Sequence, residues 1–208
     1  MTLRPAALLA LVAVLSSGVA ARAAEDELPA RQRVLLLLRV LAYDRNLKLR
    51  AGEAMAVAVL YRKGDARSEE CQRDLLGTFE ELAASAVVAG LPIQPRALAF
   101  TGAVALEAAL GAPRTAALFV CPGLEDAAQA LQKAARRRQT FTAAAGRALA
   151  EAGLSLGLVQ RGDRAGLVIN LEAARAEGAD LDSALLRIAE VLRPAPAAKP
   201  DGSRPQEP

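Results

Sequence analysis

Short apolar runs alternate with helical patterns along most of this 208-residue chain. That alternation predicts an α/β fold: a single three-layer αβα domain around a mostly parallel sheet, with a C-terminal antiparallel hairpin. Three observations carry the prediction. Runs such as residues 54–61 are continuously apolar between polar flanks, as expected for strands buried on both faces. Stretches with apolar residues at helical spacing separate them. Near the end, the apolar runs 154–160 and 165–171 are joined by only Arg161-Gly162-Asp163-Arg164, too short for a crossover helix and suited to a hairpin turn.

The first 23 residues read as a signal peptide, with Arg4 as the positive start, 6–20 as the apolar stretch and Ala21-Arg22-Ala23 as the cleavage site. Ser16, Ser17 and Gly18 interrupt that stretch, which falls short of the roughly 20 residues a spanning helix needs. The expectation is an exported, soluble protein with one domain over 24–192. Arg193 opens a tail, 193–208, whose Pro194, Pro196, Pro200, Pro205 and Pro208 among polar residues predict disorder.

Within the domain, Pro29 precedes an apolar helical face of Val34, Leu35, Leu37, Leu38 and Leu41. A strand is predicted over 54–61, then a long helix to about residue 85 with Asp65 as N-cap and Glu69 and Glu70 in its first turn. Strands at 97–100, 115–120 and 140–142 alternate with helices at 103–110 and 125–138. Arg136, Arg137 and Arg138 at a helix C-terminus complement the helix dipole and are expected to face solvent. A short helix ends near residue 152, the hairpin follows, and Leu181, Asp182 and Leu186 have the spacing of a hydrophobic staple. They predict a last helix over 183–192.

Composition narrows the function. The chain has no His and no Trp, with two Tyr and four Phe. Triads built on His, His-ligated zinc and an imidazole switch are thereby excluded, and aromatic platforms are scarce. Loss of Arg4 and Arg22 with the signal peptide lowers the net charge from +3 to +1, so nucleic acid is not indicated as a partner. No GxGxxG or P-loop sequence occurs, and no cofactor or metal is expected. A non-enzymatic role follows.

Cys71 and Cys121 are the two cysteines, and export favours a disulfide between them. Both are expected at the carboxyl edge of the sheet; two separately buried thiols are the alternative. Tyr43, Asp44, Arg45 and Asn46 follow the first helix and either line a cleft or partner surface, or form an ion-paired solvated turn. Pro122 and Gly123 follow a predicted strand, where parallel sheets place their ligand crevice. Asn170 interrupts an apolar strand and is read as a structural latch that bonds neighbouring backbone. Glu172 and Glu177 flank Arg175 and are read as a solvated network.

The segment Ala165-Gly166-Leu167-Val168-Ile169-Asn170-Leu171, followed by an Ala-Ala-Arg helix, Gly178 and the helix from Asp182, resembles the closing segment of the YfiR/HmsC-like exported proteins. The resemblance implies a periplasmic regulator that contacts a membrane-bound signalling protein, in the best-understood case a diguanylate cyclase controlling cyclic di-GMP and biofilm. It also implies a homodimer. A small-molecule ligand, or a role as the solute-binding protein of a transporter-like system, is the alternative. Two positions depart from the family pattern. Relatives end their first helix with aromatics and a Trp-Pro pair, where this chain has Leu41-Ala42-Tyr43-Asp44-Arg45-Asn46. They carry a Cys-His pair ahead of the third strand, where this chain has Pro113-Arg114-Thr115.

Overall fold

The computed structural model describes residues 28–192, so the expected signal peptide (1–23) and the expected disordered tail (193–208) lie outside the described residues. In chain order the elements are α1 (Ala30–Ala42), α2 (Leu47–Ala51), β1 (Met55–Tyr61), α3 (Ala66–Ala83), β2 (Val87–Val88), β3 (Leu91–Ala99), α4 (Ala103–Gly111) and β4 (Ala117–Val120). A 3₁₀ turn at Glu125–Ala127 leads into α5 (Ala128–Arg138), β5 (Phe141–Ala145), α6 (Ala148–Glu151), β6 (Leu156–Arg161), β7 (Arg164–Asn170), α7 (Leu171–Ala176), α8 (Ser183–Ile188) and β8 (Glu190–Leu192).

One eight-stranded sheet runs in the order β2-β3-β1-β4-β5-β6-β7-β8. The five strands from β3 to β6 are parallel, and β7 closes an antiparallel hairpin on β6. The α/β expectation therefore holds, as a mostly parallel sheet covered on both faces. β1 shows why its sequence is continuously apolar. Met55, Val57 and Val59 enter the core beneath α1, α3 and α8, while Ala58 and Leu60 enter the core beneath α4, α5 and α6. Burying one Leu or Val contributes about 1.5–3 kcal/mol, so a strand with two such faces anchors the fold.

Local chemistry sets the ends of several elements. Asp65 caps α3, its Oδ1 accepting from Ser68 N at 2.9 Å, and Glu69 Oε1 accepts from Gly64 N at 2.9 Å. Asp182 caps α8 by accepting from Ala184 N at 2.7 Å. Arg137 and Arg138 at the end of α5 both pair with Glu107, while Arg136 is exposed.

Three expectations are corrected. The strand expected at 97–100 is nine residues long, Leu91–Ala99, because residues 93–99 pair in parallel along all of β1 and β2 folds back on its start as a short antiparallel pair. Prolines at 92 and 95 hide it from a propensity reading, yet prolines are tolerated near a sheet edge. The helix expected over 183–192 stops at Ile188. Ala189 turns extended, at φ −99° and ψ 155°, and residues 190–192 pair in parallel with Val168, Ile169 and Asn170. An available sheet edge outcompetes one further helical turn. Finally, Glu177 is not on a solvated face but fully buried.

Candidate functional site

The carboxyl ends of β1, β4, β5 and β6 converge on one rim, where loops can present side chains without disturbing the sheet. The disulfide Cys71–Cys121 ties the second turn of α3 to the residue after β4, with Cα atoms 5.9 Å apart. It closes a separation of 50 residues, worth about 4 kcal/mol on the chain-entropy model. Arg33 of α1 is buried beside it, its Nη1 donating to Cys71 Sγ at 3.8 Å.

Chain order reverses at the β1–β4 boundary, the usual ligand crevice of an open parallel sheet. Here the protein's own side chains fill it. Arg62, just after β1, donates through Nε to Gly123 O and through Nη2 to Asp126 Oδ1. Gly123 has φ +83°, and a Cβ there would lie 2.7 Å from Asp65 Oδ2, so only glycine suits the position. Open space appears instead one strand further along. A cleft of about 300 Å³ lies over β4, β5 and β6, lined by Val120, Pro122, Ala145, Gly146, Leu149 and Leu158, with Arg67, Glu125 and Gln160 at its mouth. Walls that mix apolar and polar groups in about equal measure suit binding of a small molecule or a protruding side chain.

The amino ends of the strands are built differently. Asp44 and Arg50 form a buried ion pair, with Arg50 Nε donating to Asp44 Oδ2 at 3.1 Å. Arg50 Nη1 also donates to Ala116 O at 2.7 Å and Gln139 O at 3.0 Å, the residues leading into β4 and β5. Asp44 Oδ1 accepts from Asn46 N at 3.0 Å and Asp180 N at 2.9 Å. Glu177 accepts from Thr142 N at 2.8 Å, from Thr142 Oγ1 at 2.7 Å and from Ser155 Oγ. Burial pushes its carboxyl up to about 7, against the opposing pull of those donors and of Arg50.

The residues singled out from sequence therefore do not form one site. Pro122 lines the cleft and Gly123 accepts from Arg62, both at the carboxyl edge. Tyr43, Asp44, Arg45 and Asn46 sit at the amino edge. Tyr43 packs against the core, Arg45 pairs with Asp182 at 2.8 Å, and Asn46 Nδ2 donates to Gly178 O at 3.1 Å. The solvated-turn reading of this segment is corrected by the buried Asp44. Asn170 caps α7 by accepting from Ala173 N at 3.0 Å and donates through Nδ2 to Ala150 O at 3.0 Å. Sequence reasoning missed Glu177. The available signal was the pair of polar residues, Thr142 and Ser155, at the starts of apolar strands, since buried hydroxyls need partners.

Among the described residues no group of three or more acidic or thiol side chains is placed to hold a metal ion, and no helix is long and apolar enough to cross a membrane. The rim offers shape, apolar area and scattered polar groups, an arrangement for binding.

The profile described as YfiR/HmsC-like matches residues 57–190, from within β1 to the start of β8. No curated protein matches the chain at a significant level. Among solved structures, the ABC domain from Streptococcus pneumonia in complex with L-Trp is 14% identical, with a TM-score of 0.54, the match covering 79% of this chain and 62% of that one. A conserved domain protein from Vibrio cholerae is 17% identical, with a TM-score of 0.55, covering 78% and 60%. A substrate binding protein with adhesive properties from Clostridium difficile, in its ligand-free, open structure, is 14% identical, with a TM-score of 0.51, covering 71% and 57%. These likenesses are of fold. The chain spans about three fifths of the length of the structures it matches.

Proposed function

The chain belongs to the YfiR/HmsC-like family, and from that premise we propose that it is an exported, periplasmic regulator that acts by contact with a membrane-bound signalling protein. A diguanylate cyclase is the partner that the resemblance implies, so that release of the contact raises cyclic di-GMP. The single observation behind this reading is the family match across residues 57–190, which takes in nearly the whole sheet. Residues 1–23 serve as the export signal in this reading, and the role is non-enzymatic. The carboxyl rim supports it through a cleft whose walls mix apolar and polar groups rather than a nucleophile beside a base.

Recovery of a membrane signalling protein with the tagged chain from detergent-solubilised membranes, together with raised cyclic di-GMP on deletion of the gene, is the expected outcome. Recovery of no membrane protein, with cyclic di-GMP unchanged, contradicts it.

A second reading has a specific observation in its favour. The fold likeness extends to a domain that binds L-Trp and to a substrate binding protein, and the cleft here has the volume of a small ligand site. In that reading the chain is a solute-binding module. Calorimetric titration with the twenty amino acids separates the two: saturable heat lost on Pro122→Trp, which fills the cleft, favours solute binding.

A further inference from the structure

The sheet has two outer edges, and they are treated differently. The β3 edge carries Pro92 and Pro95 and is covered at its start by β2, devices that discourage pairing with another chain. At the other end, β8 covers only Val168, Ile169 and Asn170 of β7. Residues 164–167 pair with β6 on one side and, among the described residues, with no strand on the other.

The direction of the uncovered groups follows from the ladder. Asn170 N donates to Ser155 O at 2.9 Å, toward β6. Donors alternate in an antiparallel pair, so positions 164, 166 and 168 also turn toward β6, and Ala165 and Leu167 turn their backbone N–H outward. Beside this edge runs a groove of about 300 Å³ between α1, β7 and α8, lined by Leu36, Val40, Leu185 and Ile188. Ile188, which lines it, is 69% exposed. Arg39 lines the same groove and is exposed. Glu190 of β8 is already engaged by Arg147 and Arg161.

We propose that this open stretch of β7 and its groove dock an extended segment of a partner protein, adding it to the sheet edge, with apolar side chains in the groove and a carboxylate on Arg39. Main-chain bonding at an open edge supplies affinity, while a pocket beside it reads alternate side chains. Arg39 at the groove selects the sign of the flanking charge. The proposal rests on the partner-contact reading above and identifies the surface that makes the contact.

The probe is a synthetic peptide with a central run alternating valine and serine and two aspartates at each end, labelled for fluorescence anisotropy and titrated against the purified full chain. Two control peptides replace the aspartates by lysines or N-methylate alternate central residues. Saturable binding by the probe, weakened at least about tenfold in both controls and in the variants Arg39→Glu and Ala165→Pro, is the expected result. Ala165→Pro removes an outward N–H without touching the bonds to β6, and should Ala165→Pro fail to fold, Arg39→Glu and the N-methylated peptide carry the same test. Absence of saturable binding, or binding indifferent to charge and to N-methylation, overturns the proposal. So does self-association of the chain that Arg39→Glu or Ala165→Pro abolishes, which would assign the edge to a second copy. No membrane protein enters the assay, so its failure leaves the cyclase reading standing, while unchanged cyclic di-GMP with intact peptide binding removes that reading alone.

Discussion

The two ends of the parallel strands hold polar groups in opposite ways. At the amino end, charge is buried and bonded: Asp44 to Arg50, Arg50 to the carbonyls of Ala116 and Gln139, and Glu177 to Thr142 and Ser155. At the carboxyl end, Glu125, Asp126 and Gln160 are solvent-facing or half-buried around an open cleft. A buried charge without its partner is expensive, whereas an exposed one is screened. The amino end therefore fixes the geometry of the sheet and joins α2 and α7 to it, while the carboxyl end carries the open cleft.

The largest expected effect comes from breaking the amino end. Arg50→Ala leaves Asp44 buried and uncompensated, and a loss of about 3–5 kcal/mol in urea unfolding is expected. Cys121→Ser, which opens the disulfide, is expected to cost about 2–4 kcal/mol by the same measurement, an effect that reductant reproduces in the unmodified chain.

Glu177 sharpens the comparison through pH. Its folded carboxyl titrates near 7, above the ordinary 4.5, so the folded state holds the proton more tightly than the unfolded one. The stability it contributes is fully present below about pH 4.5 and is lost as pH rises through about 7, by roughly 3 kcal/mol across that window. Glu177→Gln is expected to remove this slope between pH 4.5 and 7 in chemical-denaturation midpoints; an unchanged slope would mean that another group carries it. The smallest effect belongs to the carboxyl rim. Glu125→Ala is expected to change stability by less than about 0.5 kcal/mol, because its side chain faces solvent and, among the described residues, bonds the Gly123 amide at 3.3 Å.

Much of the fold was legible because strands buried on both faces leave a signal that needs no partner to read. Residues 54–61 announce β1, and Arg161-Gly162-Asp163-Arg164 announces the hairpin. The short edge strands were hidden. Residues 190–192 look like a continuing helix until β7 supplies an edge, and β2 has only two residues. The candidate site was legible as a location, the carboxyl edge, and Pro122 does line its cleft. Asp44 does form a local ion pair, with Arg50, but a buried one, and Glu177 was misread as a surface charge because spacing along a helix records which residues share a face. It does not record whether a loop or strand from elsewhere in the chain covers that face. Arg50 lies six residues from Asp44, but Thr142 lies 35 residues from Glu177.

Native-state hydrogen exchange on the full chain tests the division between the two ends most directly. The amides of Thr142 and Asp180, bonded to the buried carboxylates, are predicted to exchange only through global unfolding, while the Gly123 amide, bonded to exposed Glu125, opens locally and far faster. Exchange at Thr142 and Asp180 as fast as at Gly123 would contradict the account.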